Sequence, residues 1–189
     1  MGYALSWLAI RGKSREQVHR DLGIDSTGVY DESPEAPFTG ARLQNNWYLL
    51  LRNRGVFSDA RIMELLSIKG EVIYCSIEEH VMVSEASGWR DGRKIWSVVH
   101  EAQKASGHLK ITGEPPPEFA LIRERLQAEQ ATGEGGVDYI FDVPIEVARA
   151  ISGYRHDATI PSVDNLGFEI LQQGEAPTKT SWLPRWLAR

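Results

Sequence analysis

At 189 residues the chain is long enough to bury roughly two-thirds of the surface its unfolded form exposes, so neither a metal nor a disulfide is needed for folding. Apolar residues at 42% and charged residues at 25% exclude a fibrous or wholly disordered protein and point to one domain with a core. A formal net charge of −5, with Lys and Arg scattered along the chain, disfavours a phosphate backbone as ligand and suits a basic protein partner or self-association.

The single cysteine, Cys75, has no intramolecular partner, which fits a reducing compartment. The apolar start from Tyr3 to Ile10 is short, interrupted by Ser6 and not preceded by a basic region, so it does not read as a signal peptide. No run approaches the ~20 apolar residues that cross a bilayer, and a cytoplasmic location without a membrane partner is expected.

In chain order, residues 3–10 are rich in aromatic and branched residues and read as a strand ended by Arg11-Gly12. Ser14 with Gln17 forms a capping-box pattern, and Gly23 closes the short helix it opens. Residues 24–40, with Gly28, Pro34, Pro37 and Gly40, read as an irregular loop. Asn45-Asn46 makes a turn between 41–43 and a buried strand at 47–51. Ser58 is positioned to cap a second helix with an Ile62, Leu65 and Leu66 stripe, ended by Lys69-Gly70.

Residues 72–77, 81–89 and 94–100 read as three strands, the last two joined by Asp91-Gly92, one of the strongest short hairpin signals. An unbroken two-residue turn pairs Trp89 with Lys94, Ser87 with Trp96, Glu85 with Val98 and Val83 with His100, placing all of them on one side. Trp89 and Trp96 are thus expected on a common face, as core or as an exposed anchor. After the stiff connector 113–117 come a helix to about Gln130, a strand at 139–141, and a helix with Ile145, Ala148 and Ile151 behind Asp142 and Pro144. Residues 168–171 are a further strand. The expected fold is α+β, an antiparallel sheet of five or more strands with short helices packed on one face. Residues 1–174 form its single domain, and 175–189 a tail with two Trp.

Ile10-Arg11-Gly12 with Ser14 and Leu22-Gly23, then Trp47-Tyr48-Leu49, Leu66-Ser67 and Gly70, then Trp89-Arg90-Asp91-Gly92-Arg93 and Trp96, resemble the pattern of a group of uncharacterised bacterial proteins. The resemblance spans the first hundred residues or so, and several such proteins resemble immunity or accessory components of toxin systems in size and acidity. It implies a non-enzymatic protein-binding role and carries no catalytic residue.

Against that reading stand two alternatives. His80, Glu85 and His100 lie near one end of the expected hairpin and would serve a small hydrolase or metal-dependent enzyme if they converged. A cleft between sheet and helices would suit a small-molecule sensor. The histidines lack metal-ligand spacing, Cys75 sits mid-strand with Ile73 and Ile77 on its face, and no phosphate loop, dinucleotide fingerprint or nucleophile elbow occurs, so no metal or cofactor is expected. In the tail, Trp182, Leu183, Trp186 and Leu187 share one side of a helical turn, and Trp182 and Trp186 are expected to pack against a folded surface, either on their own domain or on a partner such as a second subunit.

Overall fold

The computed structural model describes residues 2–43, 45–105, 107–133, 136–158 and 166–174; Trp182 and Trp186 lie outside them. The strands are β1 (Ala4–Arg11), β2 (Ile24–Asp31), β3 (Phe38–Arg42), β4 (Tyr48–Asn53), β5 (Glu71–Glu78), β6 (Val83–Arg90), β7 (Arg93–Glu101), β8 (Lys110–Gly113) and β9 (Phe168–Gln173). The helices are α1 (Arg15–Leu22), α2 (Ala60–Leu66), α3 (Glu118–Thr132) and α4 (Asp142–Ser152). The strands make one nine-stranded antiparallel sheet in the order β2-β9-β3-β4-β1-β5-β6-β7-β8, which bears out the α+β class.

β1 sits at the centre of that order, and Trp7, Leu8, Ala9 and Ile10 are all fully buried. Since alternate side chains leave opposite faces of a strand, both faces of the sheet must be covered here. The short helices α1 and α2 cover one face, where Val18, Ile62 and Leu66 pack with Leu8, Ile10, Leu50 and Val72. On the other, α4 lies over β5, β6 and β7, and Val143, Val147 and Ala148 pack with Trp7, Ala9, Cys75 and Val98. α3 packs on α4.

The local signals explain most boundaries. Ser14 Oγ accepts from Gln17 N at 3.2 Å while Gln17 Oε1 accepts from Ser14 N at 2.7 Å, and Gly23 ends α1 at φ 62°. α2 is capped by Asp59, not Ser58; its Oδ1 accepts from Arg61 N at 3.0 Å. Residues 24–31 are a strand and not a loop. β2 is an edge strand, mostly exposed, and its turn-forming residues sit in a bulge between Ser26 and Tyr30, where pairing with β9 shifts. Residues 139–141 form a 3-10 turn instead of a strand, because Asp138 Oδ1 accepts from the Ile140 and Phe141 amides and winds the backbone into α4. Asp142 is therefore the first residue of the helix.

The register of the β6–β7 hairpin departs from the simple alternation. Asp91 (φ 49°) and Gly92 (φ 74°) do occupy the two turn positions between Arg90 and Arg93, and Trp89 does pair with Lys94. The next pair, however, is Gly88 with Trp96, so Ile95 is an extra residue in a bulge and every later pair moves by one. Ser84 pairs with His100, Glu85 with Val99 and Ala86 with Val98. Trp89 then joins the α1–α2 side of the core and Trp96 the α4 side, on opposite faces. The indole of Trp96 lies across Gly88, where any Cβ would collide with it. Gly88→Ala is accordingly expected to cost roughly 1–3 kcal/mol as an overpacked core site, read as a lowered denaturation midpoint; an unchanged midpoint would contradict this placement of Trp96.

Candidate functional site

The bulge separates the residues that a catalytic reading would bring together. His100 is fully buried on the α4 face, its Nδ1 donating to the His108 carbonyl at 2.8 Å and its Nε2 lying 3.1 Å from Asp138 Oδ2. Glu85 projects from the opposite face. His80 stands on the exposed turn after β5, with Nδ1 2.8 Å from Glu78 Oε1. His100 thus fastens the segment after β7 and the start of the 3-10 turn to the sheet, a structural task. Among the described residues no group of three His, Cys, Asp or Glu side chains is placed to hold a metal ion. Cys75 is buried beside Trp7 in the sheet, and burial pushes its thiol up, away from the reactive thiolate.

A different constellation forms at the other end of the sheet, from four segments distant in sequence. Arg15, the first residue of α1, donates from Nε to Glu169 Oε1 at 2.7 Å and from Nη2 to Oε2, a two-pronged pair with β9. Tyr48 on β4 donates its hydroxyl to the same Oε1 at 2.7 Å, reaching across β3 to do so. That reach needs Gly40: a Cβ on this residue of β3 would collide with the Tyr48 hydroxyl. His19, one turn beyond Arg15, places Nε2 2.7 Å from the Tyr48 oxygen. Because the tyrosine proton is directed at Glu169, the imidazole Nε2 is the donor in that contact, which sets the tautomer.

The electrostatics follow from burial. Glu169 is 3% exposed, and desolvation alone would raise its carboxyl. Hydrogen bonds from Arg15, Tyr48 and Ser26 outweigh it and hold the group below the usual carboxylate range. Burial pushes the Tyr48 phenol up, reinforced by its bond to Glu169, and pushes the His19 imidazole down. The cluster rests as a guanidinium–carboxylate pair with a neutral tyrosine and a neutral histidine.

Beside this network the sheet parts. β3 and β9 pair only at Thr39 with Ile170 and Gly40 with Glu169, and beyond Gly40 they diverge around a cleft of about 210 Å³. Arg15, Tyr30, Arg42, Gly167 and Glu169 are among its walls. The polar groups of the inner wall satisfy one another, whereas the rim, with Arg42 and Tyr30, is exposed. Such an arrangement offers fixed polar groups beside an open cleft. None of these residues was singled out from the sequence, although the Ser14 cap already places Arg15 and His19 one turn apart on α1; nothing local links them to Glu169, 154 positions beyond Arg15.

No family model, no curated protein and no solved structure matches this chain.

Two titrations separate the structural roles. Tyr48→Phe deprives a buried carboxylate oxygen of one donor and is expected to cost about 1–2 kcal/mol, while Glu169→Gln leaves Arg15 without its counter-charge and should cost about 3 kcal/mol. A carboxyl whose folded pKa is depressed supplies stability present above its unfolded value of about 4.3 and lost as pH falls through the folded pKa. The deficit of Glu169→Gln should therefore shrink in denaturation midpoints measured below pH 4; a constant deficit would contradict the ionised assignment.

Glu85 carries the opposite sign. Burial raises its carboxyl, only partly offset by Lys94, so its neutral form favours the fold, and that stability is lost as pH rises through the folded pKa. Glu85→Gln is expected to raise the midpoint at pH 7 and leave it unchanged at pH 4. A loss of stability at pH 7 would instead mean that the carboxylate is needed in its charged form.

Proposed function

We propose that the chain is a non-enzymatic protein-binding module, an immunity- or accessory-type component of a bacterial toxin system acting in the cytoplasm. The observation that supports it most directly is the open edge of the sheet at β8. All four residues, Lys110 to Gly113, are exposed, and among the described residues β8 has a strand partner only in β7, opposite Trp96 to Val99. Such an edge offers backbone donors and acceptors to an added strand, the mode in which main-chain bonds supply affinity and side chains supply specificity. Ile95, in the bulge, and Ile111 are exposed here and supply apolar contact. The net charge of −5 favours a basic partner, and the Trp182 and Trp186 segment is a second candidate contact. The enzyme alternative loses support from the dispersal of His80, Glu85 and His100 over an exposed turn and two opposite faces.

The hydrogen-bond phase along β8 defines the test. Glu114 N donates to Ile95 O at 3.3 Å, so by the two-residue alternation of an antiparallel ladder the Thr112 amide also faces β7 and the Ile111 amide faces outward. Ile111→Pro therefore removes an outward donor without breaking a bond to β7. Affinity capture from the source cell should yield a stoichiometric basic protein with the natural chain and lose it with Ile111→Pro at unchanged melting temperature. A protein isolated alone with a bound metal, or capture indifferent to Ile111→Pro, would reject binding through this edge.

A further inference from the structure

We propose that the parting between β3 and β9 is a binding site for a small carboxylic acid, held between the guanidinium groups of Arg42 and Arg15. The inner edge of Arg15 is consumed by Glu169, but its Nη1 is turned the other way, 3.7 Å from Glu16 Oε1. Arg42 Nη2 lies 3.6 Å from the same Glu16 oxygen. Both separations are longer than hydrogen bonds, and all three groups reach water, with the Glu16 side chain 58% exposed. An exposed carboxylate thus hovers between two arginines without being gripped by either. Glu16 is held at the start of α1 by its own backbone amide and Ser14, and its Oε1 shows that the two guanidinium groups converge on one point; such an exposed pair is cheap to displace.

The remaining walls narrow the ligand. Glu169 has its oxygens occupied by Arg15 and Tyr48, so its charge is cancelled within the floor and does not repel an incoming anion as a bare carboxylate would. Tyr30 adds a half-exposed ring and hydroxyl at the edge strand, and Gly40 and Gly167 add backbone to the walls. A volume of about 210 Å³ is below the roughly 300–1,000 Å³ of sites for drug-sized ligands. The cleft therefore suits a compact acid with a small apolar or aromatic body. The planar two-oxygen head suits the guanidinium fork of Arg42, which lysine would not reproduce.

The site lies at the opposite end of the sheet from β8, so its test is separate from that of strand addition. Benzoate is titrated into the full-length chain at constant ionic strength, with inorganic phosphate and chloride as parallel probes, and amide shifts of Gly40, Arg42 and Gly167 are followed by nuclear magnetic resonance. Benzoate is expected to shift these amides saturably. Arg42→Gln should weaken it roughly tenfold, the worth of one charge-assisted hydrogen bond, and Glu16→Gln should tighten it several-fold by removing the internal competitor. Both residues are on the surface, so the natural shift pattern elsewhere verifies the fold. Linear, unsaturated shifts, equal affinity in Arg42→Gln, no gain in Glu16→Gln, or saturation by phosphate and not by benzoate would each overturn the assignment.

Discussion

A central strand buried on both faces governs this architecture. Trp7, Leu8, Ala9 and Ile10 alternate between two cores, and neither core is complete without helices from a different part of the chain. α1 and α2, from the first seventy residues, seal one side; α4 and its neighbour α3 seal the other. Covering a strand of this kind from both directions makes the sheet the middle of three layers, and the chain must return to it repeatedly. Among the described residues, β2 and β8 form the two edges of the sheet.

The return of the chain as β9 brings Glu169 against Arg15, and the pair does more for geometry than for net stability. Removing two charges from water offsets much of their attraction, so a buried ion pair alone is a weak stabiliser. Its value is directional. A two-pronged arginine bond, a tyrosine reaching over Gly40 and a histidine on the next turn of α1 admit one arrangement of β3, β4, β9 and the helix. The same arrangement leaves β3 and β9 joined over two residues, and the cleft is the consequence.

At the far end a single inserted residue has comparable reach. Ile95 absorbs the mismatch created when the Trp96 indole lies across Gly88, and the shift sends His100 inward and Glu85 to the other face. Gly113, at φ 71°, lies against the Ile95 carbonyl, where a Cβ would collide, so β8 joins at the bulge itself. The exposure of Ile95 and the separation of His100 from Glu85 accompany one local choice.

Several elements were legible in the sequence because their causes are local. The Ser14–Gln17 box, the Gly23 helix end, the Asp91-Gly92 turn and the apolar run of β4 depend on neighbours within a few positions. The antiparallel α+β class followed from their order. What the sequence could not specify depended on contacts between distant segments. β2 carries loop-like residues and becomes a strand because β9 pairs with it; residues 139–141 look strand-like, yet the Asp138 carboxylate and the docking of α4 wind them into a turn. The bulge at Ile95 arises from the fit of an indole over a glycine on the partner strand, which alternation by two does not register. For the same reason Arg15, Tyr48 and Glu169 are unremarkable residues in the linear chain. Only the closure of the sheet, which buries one carboxylate where one guanidinium can reach it, makes them a site.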